Sequence, residues 1–106
     1  METLIKQIDL YLHYKHLYLN PNKNEVIFLG YNLNTTKTEY SILRALMENT
    51  RSPLSAEEIS HITSSELSKE NIAFHISNIN NKAKIIGNRP LIKNITKNGY
   101  FLNEEM

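Results

Sequence analysis

Glu70-Asn-Ile-Ala-Phe-His-Ile-Ser-Asn-Ile-Asn80, followed by Pro90-Leu-Ile-Lys-Asn-Ile-Thr-Lys-Asn-Gly-Tyr-Phe-Leu102, decides the fold. In the first stretch and its continuation, Ile72, Ile76, Ile79, Ala83 and Ile86 recur at spacings of four and three, the period of a helix with one apolar face. That face is expected to be core. Rotated from it by about 100 degrees, Asn71, His75, Asn78 and Lys82 form a second stripe of hydrogen-bonding side chains open to a partner. The second stretch places β-branched and aromatic residues on both sides of Thr96-Lys-Asn-Gly99. Asn-Gly is a strong hairpin signal because both residues tolerate positive φ. The reading is a helix followed by a tight β-hairpin.

Working outward, Leu10 to Leu33 breaks into short strand-like runs, Tyr11–Tyr14, His16–Leu19, Val26–Leu29 and Tyr31–Leu33, separated by turn-prone Asn20 to Asn24 and by Gly30. These predict a small antiparallel sheet over residues 9–34. Thr36 with Glu39, and Ser55 with Glu58, have capping-box spacing and mark two helix starts. Ser68 is placed to cap the third helix and Gly87 to stop it. The expected organisation is a single domain over 1–106: a lead-in over 1–8, the sheet over 9–34, three helices over 36–87 and a hairpin over 90–103.

These motifs, in this order, resemble the C-terminal effector domain of OmpR/PhoB-type response regulators of two-component systems. The family opens its first core helix with Leu-Thr-x-Thr-Glu-aromatic. Here Thr36-Lys-Thr-Glu39-Tyr40 stands in that place, the leading Leu being replaced by Thr35. Asn49, Leu54-Ser55 and Ile59 match the family's second helix, Ile72-Ala-Phe-His-Ile76 its Val-x-Val-His-Ile, and Gly99-Tyr-Phe-Leu102 its Gly-Tyr-x-Leu wing ending. The resemblance implies an α+β winged helix with a small N-terminal antiparallel sheet, a three-helix core and a C-terminal β-hairpin wing. It further implies a transcription regulator that binds double-stranded DNA, its third helix in the major groove and its wing in the minor groove.

The charge distribution points the same way. The net charge is only +1, but Lys69 to Asn103 carries six basic residues against the single acid Glu70, whereas residues 1–68 are net acidic. A basic helix-and-wing half is the expected footprint of a phosphate-facing surface, and an ordinary solvated surface is the plain alternative. Lys69, Asn71, Phe74, His75, Asn78, Asn81, Lys82, Lys93, Thr96 and Lys97 are the candidate DNA-binding residues. Asn pairs best with adenine and Arg or Lys with guanine, so an amide-rich helix favours A·T-containing sites. Two roles are open to Phe74, contact with a thymine methyl or packing against the preceding loop. Two are open to His75, donation to DNA or contact with the wing.

The chain also departs from the family. Where members usually carry arginines on the third helix and the wing, Glu70, Ser77, Asn78, Asn80 and Thr96 stand here. Fewer phosphate contacts mean weaker non-specific affinity and a flatter salt dependence. The alternative reading is therefore a winged-helix protein-interaction module with a degenerate DNA face. Dimeric or tandem binding is expected on DNA, because one such domain buries a small interface. The resemblance also implies RNA polymerase and a receiver domain as partners. The loop from His61 to Leu67 is short and lacks the family's tryptophan, which argues against polymerase contact there.

Composition fits a small cytoplasmic domain with one core and no room for a receiver in front. With no cysteine there is no disulfide and no thiolate metal site, and neither a leader peptide nor a long apolar run is read. His13 and His16, read within one strand, would point to opposite faces and share no metal. With no catalytic constellation in the sequence, neither enzymatic activity nor a cofactor or metal is expected.

Overall fold

Thr36 begins the helical part of the fold with both halves of a capping box. Its hydroxyl accepts from the Glu39 amide at 3.1 Å, and the Glu39 carboxylate accepts from the Thr36 amide at 2.9 Å. This start is seen in a computed structural model that describes residues 11–63, 69–95 and 99–103. The expected lead-in over 1–8, the Ser68 cap, and the candidate residues Thr96 and Lys97 lie outside the described residues.

Ahead of that cap, β1 (Leu12–Tyr14), β2 (Leu17–Asn20), β3 (Glu25–Phe28) and β4 (Tyr31–Asn32) form an antiparallel meander in chain order. The pleat sends Leu17, Leu19, Val26 and Phe28 into the core. On the other face His13 lies opposite Tyr18, Tyr18 opposite Ile27 and Ile27 opposite Asn32. The expected sheet is present, with one difference at the histidines. His13 lies in β1, stacked on Tyr18 at 4.4 Å, while His16 belongs to the turn before β2, so the two never share a strand. Leu29 and Gly30, both at positive φ, make the two-residue turn into β4 in the twist that suits a hairpin.

Helix α1 (Lys37–Met47) buries Tyr40, Ile42, Leu43, Ala45 and Leu46. Helix α2 (Ala56–Ile62) begins at the Ser55 capping box with Glu58 and contributes buried Ile59. Helix α3 (Lys69–Gly87) buries Ile72, Ile76, Ile79 and Ala83, while Ile86 at its end is half-buried. These meet the sheet's inner face in one cluster that also takes in Leu54, Leu91, Ile92 and Leu102.

The end of α3 differs from expectation. Asn88, not Gly87, carries the left-handed conformation, at φ 64. Gly87 is the last helical residue, and its requirement is space: a Cβ there would lie 2.8 Å from Leu29 Cδ1 and 3.0 Å from the Phe28 ring.

The chain then enters β5 (Ile92–Ile95), paired antiparallel with β6 (Gly99–Leu102), with Ile92 opposite Leu102 and Ile95 opposite Gly99. Gly99 is thus already a strand residue, and the rest of the expected Asn-Gly turn, residues 96–98, lies outside the described residues. Leu54, just before α2, extends this wing by exchanging backbone hydrogen bonds with Tyr100 at 2.7 and 2.9 Å. Among the described residues no helix is long and apolar enough to cross a membrane.

Candidate nucleic-acid interface

With the isoleucine stripe of α3 fixed in the core, the helical period decides which residues face outward. The exposed positions are Glu70, Asn71, Ala73, Phe74, Ser77, Asn81, Lys84 and Ile85. This face is turned slightly from the expected stripe. Asn71 is exposed, but His75 and Asn78 are half-buried shoulders, and Lys82 is committed elsewhere. Phe74, Ser77 and Asn81 form the ridge of the outward face, spanning about 10 Å at 1.5 Å per residue. The signal was already in the sequence, since these positions lie about half a turn from Ile72, Ile76, Ile79 and Ala83.

Phe74 is 62% exposed; the preceding loop, its other expected contact, lies outside the described residues. The Phe74 ring meets His75 edge-on at 5.7 Å between centroids. Ile85, 86% exposed near the end of the helix, was not singled out by periodicity. Asn81 and Lys84 project from the outward face, Lys69 opens α3, and half-buried Lys93 lies on β5.

The Lys82 ammonium donates to Glu39 Oε1 at 2.6 Å and to the Asn34 carbonyl at 2.9 Å. Lys82 therefore braces α3 against the start of α1, and this corrects its assignment to an open stripe. The ion pair is formed because Glu39 is only 2% exposed: a carboxylate held by one backbone N–H in a buried setting gains from a cation. Asn80, at a position where the resemblance expects arginine, is likewise used within the fold. It donates from Nδ2 to the Ile92 carbonyl and accepts the Ile92 N–H at Oδ1, both at 2.9 Å.

Away from this face, a shallow groove of about 360 Å³ runs between α1 and the end of α2, lined by Tyr40, Arg44, Glu48, Ile62 and Thr63 among others. Burial raises the pKa of the Tyr40 phenol, and the Arg44 charge beside it opposes the rise. Arg44 pairs with Glu48 at 3.6 Å across one helical turn, an exposed pair of small energetic weight.

The sequence matches the family "Transcriptional regulatory protein, C terminal" over residues 30–102. None of the curated proteins matches it. Among solved structures, the chain is similar to the DNA-binding domain of CpxR from E. coli at 29% identity, TM-score 0.71, with 87% of this chain and 94% of that one covered. It is also similar to the DNA-binding domain of the response regulator AdeR, solved in complex with an intercistronic region, at 22% identity and TM-score 0.77, with 87% and 97% covered. The Klebsiella pneumoniae RstA DNA-binding domain, solved in complex with the RstA box, is similar at 15% identity and TM-score 0.72, with 89% and 97% covered. With a winged helix in place and a family match across most of its length, the chain belongs to the C-terminal domains of transcriptional regulatory proteins, the OmpR/PhoB-type DNA-binding effector domains.

Proposed function

We propose that this DNA-binding transcription regulator reads duplex DNA with the Phe74–Ser77–Asn81 ridge of α3 in the major groove and the β5–β6 wing at the neighbouring minor groove. The observation that carries the reading is the exposed face of α3: a line of aromatic, hydroxyl and amide side chains within the basic half of the chain. A B-form major groove admits one helix, and the groups on its outer face meet the base edges. Asn81 offers paired hydrogen bonds to adenine, and Phe74 offers an apolar surface to a thymine methyl. Lys69, Lys84, Lys93 and Lys97 supply phosphate contacts around them, while His75 and Asn78 border the ridge. Lys82, partly exposed, is engaged with Glu39 and the Asn34 carbonyl.

The site is expected to be A·T-containing, bound by two copies on repeated half-sites, because one small domain makes a limited interface. The working compartment is then the cytoplasm, with the DNA.

The test is fluorescence anisotropy of AT-rich and GC-rich duplexes across a salt range, repeated with uracil in place of thymine. Preference for the AT-rich duplex, weakened by uracil in the native protein and not in Phe74→Ala, supports the reading. Salt-sensitive binding that ignores composition would keep DNA binding and remove the base assignments. The second reading is a protein-interaction module, favoured by the exposure of Phe74 and Ile85 on a helix face lacking arginine. Failure to bind either duplex at low salt would bring it forward.

A further inference from the structure

Asn80 stands one helical turn from Ser77 and beside Asn81, on the flank of the proposed reading face, yet both ends of its amide are spent on the wing. Nδ2 donates to the carbonyl of Ile92 and Oδ1 accepts the N–H of the same residue, each at 2.9 Å. An antiparallel edge strand turns both backbone groups of alternate residues away from its partner. At Ile92, the first residue of β5, a single side-chain amide on α3 fills both, as a neighbouring strand would.

The opposite side of the hairpin root is closed by Asn103, buried like Ile92. Its backbone N–H donates to the Leu91 carbonyl at 2.8 Å and its Nδ2 to the Pro90 carbonyl at 2.9 Å. Farther along, Tyr100 is tied to Leu54. Of these three attachments, only that of Asn80 joins the wing to α3 by hydrogen bonds.

We propose that Asn80 is a positioning residue that makes α3 and the wing one rigid DNA reader. It sets where the wing lysines fall when the helix is seated, and it touches no base. This rests on the DNA-reading assignment above. Because donor and acceptor engage one residue's backbone in a fixed pair, the pairing resists rotation of β5 about the helix as well as separation from it. A single hydrogen bond would leave that rotation free. Without the pair, the wing keeps its ties to Leu54 and Asn103 and the core packing of Ile92 and Leu102, but loses the hydrogen bonds that fix its orientation on α3.

The experiment compares native protein, Asn80→Ala, Asn80→Asp, Lys97→Ala and the double variants in duplex binding across salt. Thermal melts identify the variants folded at the assay temperature. Asn80→Asp is nearly isosteric and keeps the acceptor for the Ile92 N–H, so it carries the test if Asn80→Ala does not fold. The expected result is a log–log salt slope lowered by about 0.9 for each phosphate that the wing no longer reaches. Lys97→Ala is expected to add little in the Asn80 background, since a wing already out of reach of its phosphate has no further binding to give up there.

A merely structural Asn80 would lower the melting temperature while leaving the salt slope unchanged and the Lys97 effect fully additive, which would overturn the proposal with DNA reading intact. Absence of duplex binding by the native protein would overturn the DNA-reading assignment, and the proposal with it.

Discussion

Gly99 sits against the backbone of Leu54 so closely that a Cβ on it would lie 2.2 Å from the Leu54 carbonyl oxygen and 2.7 Å from the Ser55 nitrogen. Its φ of +103 is also one that side chains rarely adopt. Two independent requirements thus fall on one residue. The start of β6 needs its backbone freedom, and the Leu54–Tyr100 bridge needs its missing side chain. Gly99→Ala is expected to destabilise the domain by about 2–4 kcal/mol, combining strain with loss of the wing's third edge. Urea denaturation checks this, and a loss below about 0.5 kcal/mol would show that the close approach relaxes easily.

Lys82 braces the Glu39 carboxylate within the core. Lys82→Met leaves Glu39 with the Thr36 N–H alone, at an expected cost of about 1–3 kcal/mol, less than for a fully buried pair because Lys82 is partly exposed. In a double-mutant cycle Glu39→Gln, which keeps the capping-box chemistry, should absorb most of the Lys82→Met penalty. Additive effects would mean that the pair contributes nothing of its own.

Leu29 adopts φ 52 in the β3–β4 turn, where asparagine is far better tolerated. Leu29→Asn creates Asn-Gly and is expected to stabilise by about 0.5–1 kcal/mol. Gly87→Ala should destabilise despite its better helix propensity, because the new Cβ meets Leu29 and the buried Phe28 ring. The Gly87→Ala penalty should shrink, without vanishing, in the Leu29→Asn background, since Phe28 stays in place. Thermal melts of the three variants measure both effects.

Thr35 stands where the resemblance implies leucine, and its Oγ1 is buried without a hydrogen-bond partner among the described residues. Thr35→Val keeps the shape and removes the orphaned hydroxyl, so a gain of about 1 kcal/mol in chemical denaturation is expected. A loss of similar size would reveal a polar contact made by that hydroxyl in solution.

Ser77 lies on the outward ridge of α3, at a position where the resemblance implies arginine. Ser77→Arg should tighten duplex binding at low salt and steepen the log–log salt slope by about 0.9 if it gains one phosphate. Ser77→Ala should leave the slope unchanged. An unchanged slope in the arginine variant, measured by anisotropy, would place position 77 away from the phosphate backbone.

Much of this protein is legible along the chain because the signals are local. The two capping boxes at Thr36 and Ser55, the isoleucine period of α3 and the breaks between the N-terminal strands each depend on residues a few positions apart, and each appears where read. The family motifs, in order, were sufficient for the winged-helix class and for DNA binding.

What the chain could not disclose are the uses of side chains over long separations. Lys82 reads as an open cation until tertiary packing brings a buried carboxylate from α1 within 2.6 Å. Asn80 reads as a surface amide until β5 returns beside the helix. Gly87 reads as a helix stop until Phe28 and Leu29 crowd it, and Gly99 as a turn residue until Leu54 arrives against its backbone. Periodicity and spacing determine which face of an element is apolar. Which polar group on the remaining faces is free for a partner depends on what the fold brings next to it, because a buried charge or an open backbone edge takes the donor or acceptor within reach.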